Sequence, residues 1–379
     1  YLKQQTFSHY FISGIIVTFV PSRCFCAVYN RIIMSNVNKG IKIFAWITGG
    51  LILILACLFI PVMKSYLYDP VITEQTVCYV YPKWNDVQLD SALHSVIPDE
   101  KSIPRVKRLL SFYKFDPNVR VGAYRLHAGM TARQMALKLS RGSQSPIRVT
   151  FNNVRTLEQL AERVSEQLFF SKEELLALLY NDSVCADLGF TKATLPALFL
   201  PDTYEFYWTV TPESFLQKMK REYRIYWEGK REQQAKRWGL TPVEVATLAS
   251  IVEEETNKRD EMGKVAGLYM NRLRKGMPLQ ADPTVKFAHG DFSLKRILNV
   301  HLTIESPYNT YRVTGLPPGP IRIPSKQVID AVLTHTPNGY FYMCAKEDFS
   351  GYHNFAVTLA EHQRNAIRYQ QALNRLEIR

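Results

Sequence analysis

The sequence predicts an α+β protein carried on one membrane-spanning helix. Three observations predict it. Ile43 to Met63 is an apolar run without a charge. The next stretch, to about Asn153, interleaves strand-like alternation with short helical patterns. Beyond Asn153 the chain turns to helices with clear start signals, interrupted by aromatic and proline-rich motifs. With 379 residues and 46% apolar composition, the chain can bury a large core in more than one folded unit. The net charge of +13 suits nucleic acid, anionic lipid or another anionic polymer, and location decides among them.

The chain begins with Tyr1, and its first methionine is Met34, where MSNVNKGIK reads as a natural start. Residues 1–33 are therefore expected to be an upstream extension. FISGIIVTFV, residues 11–20, is too short to span a bilayer. Its alternative reading is a signal-peptide core, with Cys24 or Cys26 near a processing site. The longer run behind it weakens that alternative. At about 1.5 Å per residue, Ile43 to Met63 matches the hydrocarbon core of a bilayer. Gly49, Gly50 and Pro61 are tolerable there, and a buried core helix is disfavoured by the length and the lack of polar residues. Lys39 and Lys42 precede the run and Lys64 follows it, so the charge bias is weak. The short tail, residues 1–42, is expected inside, and the long C-terminal part outside.

Six cysteines are scattered along the chain, with no C-x-x-C and no zinc-like Cys/His spacing. They read as packing residues, and no metal or cofactor is expected.

Residues 64–153 form the first expected unit. VCYVYP, Val77 to Pro82, reads as a strand. Val87 to Ile97 and Ile103 to Tyr113 read as helices, and Val119 to His127 as a second strand. Thr131 caps a helix to Leu139, ended by Gly142. Pro146 to Phe151 alternates as a third strand. Taken alone, such a unit is as readily a spacer as a binding module.

Residues 154–379 form the second. Thr156 with Gln159, and Ser171 with Glu174, are capping boxes. Thr211 and Pro212 open a long charged amphipathic stretch to about Trp238, most simply a solvated face. Its basic, aromatic-interleaved residues also suit an anionic partner or a membrane surface. Between these helices lies FLPDTYEFYW, Phe199 to Trp208, with Pro201 and Asp202 as a turn. Its aromatics, Tyr204 among them, offer faces on which sugars stack, and Glu205 is a second carboxyl to consider. A turn packed on the core is the equal alternative.

The central stretch is Thr241 to Thr284. Thr241, Pro242 and Glu244 make a helix start with a capping box. Val245, Leu248, Ala249, Ile251 and Val252 then share one face. Three acids follow, Glu253, Glu254 and Glu255, at about 100° per residue. Glu254 falls opposite the apolar face and Glu253 beyond its edge. Glu255 falls on it. A carboxyl there is costly unless used or paired, and burial raises its pKa toward what a general acid near neutral pH needs. The alternative is that all three decorate a fraying end, neutralised by Lys258 and Arg259.

A second helix is expected from Glu261 to Lys275, with Gly276 as its stop. Gln280 and Asp282 follow in a turn before Pro283. Asp282 can cap a helix, contact substrate, or serve as the second carboxylate that most glycosidases use. In SPYNTYRVTGLPPGPI, Tyr308, Asn309 and Tyr311 offer stacking and amide hydrogen bonds, and GLPPGPI a rigid wall. Asn309 is equally an ordinary turn residue. His353 and Asn354 are candidate cleft residues, whereas Glu361 and His362 begin a surface helix.

ASIVEEET, VAGLYMNRLRKGMPLQADPTV, SPYNTYRVTGLPPGPI and FLPDTYEFYW resemble the endolytic murein transglycosylases of the MltG (YceG-like) family, in that family's order. The resemblance runs from about Gly122 to the C-terminus. GAYRLHAGMTARQMALKLSRG resembles the LysM-like part of the same family, which implies that residues 64–153 hold glycan. The resemblance implies an enzyme of the bacterial inner membrane that cuts peptidoglycan glycan strands, with Glu255 as the catalytic glutamate. It implies a 1,6-anhydro product, needing one carboxyl that acts as acid and then base. It favours a place near the cleft for FLPDTYEFYW, with Tyr204 and Glu205, and the candidate substrate residues beside these are Gln280, Asp282, Tyr308, Asn309, His353 and Asn354. Cutting beside the membrane would bring the chain next to peptidoglycan synthases. From the residues alone hydrolysis stays open, and so does a non-catalytic glycan-binding scaffold. The absence of any nucleic-acid motif opposes a nucleic-acid binder.

Overall fold

The computed structural model describes residues 39–294 and 296–375. The expected start at Met34 and the apolar run at residues 11–20 lie outside them. The longer apolar run is one helix, α1 (Lys39–Leu67), extended at both ends beyond the expected 43–63. Ile43–Leu67 has a mean hydropathy of 2.6, no residue of its apolar window is buried in the protein, and it is long enough to cross a membrane. The Thr48 hydroxyl donates to the Phe44 carbonyl at 2.9 Å, so its polarity is hidden inside the helix.

Next come β1 (Thr76–Val80), α2 (Asp86–Val96), a 3-10 turn, α3 (Ile103–Phe112), β2 (Gly122–Leu126) and α4 (Ala132–Ser140). β1 and β2 form a two-stranded sheet. The second strand is shorter than Val119 to His127. Val119 N and Arg120 N both bond the Asp116 carbonyl, which folds that end into a turn. Thr131 and Gln134 satisfy each other's backbone N–H groups and start α4 as expected.

β3 (Ile147–Phe151) pairs antiparallel with β4 (Asp202–Phe206), Val149 opposite Tyr204. The two paired strands lie on either side of residue 153, where the expected units divide. Between the strands lie α5 (Leu157–Ser165), α6 (Lys172–Leu179) and α7 (Asp182–Leu188). α8 (Pro212–Trp227) and α9 (Lys230–Trp238) follow. The expected single helix to Trp238 is broken here. Gly229 adopts φ +84°, which a side-chain-bearing residue rarely takes. Then come α10 (Pro242–Glu255), α11 (Arg259–Arg274), α12 (Asp282–His289), α13 (Lys326–Leu333), the β5 (Tyr342–Ala345) and β6 (His353–Ala356) hairpin, and α14 (Leu359–Arg375).

The described residues divide into two interleaved compact units. The first contains the chain through Gln75, His94–Lys114 and Leu126–Leu137. There Arg105 Nη1 donates to the Ser65 carbonyl, and Val71 N to the Met130 carbonyl, over a core that includes Ile72, Val106, Leu110 and Met135.

The second unit contains Thr76–Leu93, Phe115–Arg125 and everything from Lys138. It has two apolar cores. One lies under the β3–β4 sheet and takes Val149, Phe151, Tyr204 and Phe206 with α5–α8. The other is built by α10, α11 and α13. The end of GLPPGPI and the two residues after it join the two cores, and no residue of GLPPGPI lines the cavity that holds Glu255. Ile321 joins the second core and Ile323 the first, and Ile321 N donates to Ser250 Oγ at 3.0 Å.

Candidate active site

α10 sets the site. Thr241 and Glu244 close both halves of the expected capping box. Val245, Leu248, Ala249, Ile251 and Val252 are all fully buried, which fixes the helix's rotation about its axis. That rotation sends the three acids to different partners. Glu253 accepts from Ser325 N at 2.9 Å. Glu254 accepts from Arg155 through both oxygens at 2.8 Å and from Arg322 Nη1 at 2.7 Å. Neither relies on Lys258 or Arg259. Glu255, the last helical residue, turns into a cavity of about 260 Å³.

The cavity wall includes Tyr269 and Arg272 from α11, Gln280 and Asp282 from the turn into α12, Tyr311, and His353 from β6. Burial pushes the Glu255 carboxyl up to about 7. The Asp282 charge pushes the same way. The Tyr269 hydroxyl, donating to Glu255 Oε1 at 2.8 Å, pulls back, as do Lys286 and Arg272. The outcome is a carboxyl that can be protonated near neutrality and still give up its proton.

Asp282 is the first residue of α12 and does not cap it. It accepts from the Tyr311 hydroxyl at 2.6 Å, and burial together with this bond raises the Tyr311 pKa. Gln280 stands at φ +51° and takes Arg272 Nη1 on its Oε1 at 3.3 Å. Arg272 is buried and also donates to the carbonyls of Leu279 at 2.8 Å and Phe341 at 2.6 Å. It therefore fixes the 278–280 turn and leaves a cation beside Glu255.

The remaining expected residues divide. His353 lines the cavity, with Nδ1 3.0 Å from Glu261 Oε2 and its backbone N–H on Glu261 Oε1 at 2.8 Å. Asn354 turns to Glu347 at 2.7 Å instead. Asn309 is buried, and its amide is spent inside its own loop, on the carbonyls of Leu302 and Ile304 and on Tyr311 N. It shapes the loop that delivers Tyr311. Tyr308 packs against Phe287 at 4.7 Å between ring centroids. Tyr204 is a core residue whose hydroxyl donates to the Leu200 carbonyl at 2.6 Å. Glu205 points to the exposed face of β4. Neither β4 residue is among those lining the cavity, because strand alternation sends one into the core and the other to solvent.

Sequence reasoning missed Arg272, Glu261 and the hydroxyl of Tyr269. Tyr269 falls inside the expected second helix at the spacing of Val265, Leu268 and Leu273, an apolar pattern that hides what its hydroxyl meets. Glu261 in a first helical turn reads as an ordinary end charge.

The YceG-like family model matches residues 91–368. A Bacillus subtilis protein named endolytic murein transglycosylase is 30% identical over 346 residues, covering 86% of this chain and 92% of that protein. One of the same name from Streptococcus pneumoniae is 27% identical over 287 residues, and the match covers 67% of this chain and 51% of that protein. The crystal structure of a yceG-like protein from Listeria monocytogenes superposes with a TM-score of 0.54 at 25% identity, covering 77% of this chain and 98% of that one.

Proposed function

Because this chain belongs to the YceG-like family, we propose that it is a membrane-anchored peptidoglycan lytic transglycosylase that cuts glycan strands internally. The observation that carries this reading is Glu255, a helix-terminal carboxyl in a cavity, held by Tyr269, with its pKa raised to about 7.

In this reading protonated Glu255 donates to the oxygen that links N-acetylmuramic acid to N-acetylglucosamine. The C1–O bond breaks and positive charge develops at the sugar ring. The Glu255 carboxylate then takes the proton of the muramyl C6 hydroxyl, whose oxygen closes on C1. The product carries a 1,6-anhydro end. No water is consumed, and Glu255 returns protonated. Arg272, fixed beside Glu255, favours the carboxylate formed midway. α1 anchors the chain, with the short tail inside and the catalytic part on the outer, periplasmic face of the inner membrane. The stretch 64–153 is read as the part that holds the strand, and peptidoglycan synthases as neighbours.

A second reading keeps the cleavage and changes its product. Asp282 shares the cavity with Glu255, so a water-positioning base is chemically available. The test is a digest of intact peptidoglycan by the protein and by its Glu255→Gln variant, read by mass spectrometry. Anhydro-muramyl ends from the wild type alone are expected. Reducing ends would move Asp282 into the mechanism. Identical traces from both proteins would leave a glycan-binding scaffold.

A further inference from the structure

Gln280 is held in a way that leaves one end of its amide free. Its backbone φ of +51° is an uncommon conformation for a residue with a side chain. Such strain persists only where the surroundings over-determine it. Here they do. Gln280 N donates to the Thr310 carbonyl at 3.0 Å, and Ala281 N to Thr310 Oγ1 at 3.0 Å. Pro278 bridges Thr314, and buried Arg272 donates to the carbonyls of Pro278 and Leu279.

The same guanidinium faces the Gln280 side chain. Arginine has donors and no acceptor, so the amide atom toward it must be the oxygen. That fixes the flip. The amide nitrogen is left with two N–H donors and no partner among the described residues, on a residue that lines the cavity. Arg272 forms no close salt bridge among the described residues, and its charge acts on Glu255 from beside it. The wall beside Glu255 is thus a donor backed by a cation, and what it matches is an acceptor.

Resting on the transglycosylase reading, we propose that Gln280, oriented by Arg272, is a specificity residue that donates its amide N–H to the carbonyl oxygen of an acetamido substituent on the bound saccharide. A sugar bearing a free amine in place of the acetamide offers no carbonyl there.

The test compares N-acetylated glycan strands with strands enzymatically deacetylated on either glucosamine or muramic acid residues. Binding is measured to the full-length Glu255→Gln protein, with and without a change at Gln280, and cleavage by the proteins that keep Glu255. Wild-type Gln280 should lose about tenfold in affinity on one of the two deacetylated strands, which identifies the sugar read. Gln280→Met should lose that much on the acetylated strand and show no further loss on deacetylation. Gln280→Glu is the decisive variant. It keeps the length and strengthens the pairing with Arg272, so the fold is retained or gains thermal stability, but it presents an acceptor to an acceptor. A merely structural Gln280 would tolerate it. Equal discrimination by wild type, Gln280→Met and Gln280→Glu would overturn the proposal. Failure of the Glu255-containing protein to cleave any strand, while discrimination in binding persists, would overturn the transglycosylase reading and leave the amide's role standing.

Discussion

The hydroxyl of Tyr269 donates to Oε1 of Glu255 at 2.8 Å, joining the last turn of α10 to the buried face of α11. The bond holds the carboxyl in one orientation and leaves Oε2 the oxygen turned away from Tyr269. The bond also lowers a pKa that burial alone would push higher.

Activity that needs protonated Glu255 should fall as pH rises through about 7. Tyr269→Phe removes the bond that favours the carboxylate, so this alkaline limb should move to higher pH. The maximal rate should fall about tenfold as the carboxyl loses its fixed orientation. A pH–rate profile of the two proteins on the same strands measures both effects. A lower rate with an unmoved limb would reduce Tyr269 to a packing residue.

The same group makes stability depend on pH. Its carboxyl titrates near 7 in the folded protein against an ordinary 4.5. Between those values the native state holds more protons than the unfolded chain, so stability falls as pH rises across the window. Glu255→Gln cannot ionise. Its melting temperature should be flatter from pH 5 to about 8 and exceed the wild type's at the upper end. Parallel melting curves for the two proteins would show that the carboxyl is not strained by burial.

Of the three consecutive acids, only Glu255 should be needed for chemistry. Glu254 is bound to Arg155 and to buried Arg322, and Glu254→Gln leaves those guanidinium groups undercompensated. A loss of about 2 kcal/mol in stability is expected, with the rate per folded molecule unchanged. Thermal melts combined with active-fraction kinetics separate the two effects. A folded but inactive Glu254→Gln protein would move the chemistry to the neighbouring residue.

How much was legible follows from where each signal is stored. The membrane-length helix, the capped start of α10, the stop at Gly276 and the placement of Glu255 on the apolar face are local. They depend on composition and on a 3.6-residue period, and the sequence alone determined them. The break at Gly229 was visible as a glycine but not as a corner, because a solvated helix tolerates glycine at a modest cost. The pairing of β3 with β4 joins residues on either side of an expected boundary, and it is this pairing that buries Tyr204 and exposes Glu205. The site itself was decided by tertiary structure. Arg272, Gln280, Asp282, Tyr311 and His353 meet Glu255 because α11, α12 and the β5–β6 hairpin converge on one cavity, and no periodicity in a single segment encodes that convergence. The sequence determined which of the three consecutive acids would stand on the apolar face. Only the packed fold decided what it would face, since a hydrogen-bond partner is chosen by distance in space and not along the chain.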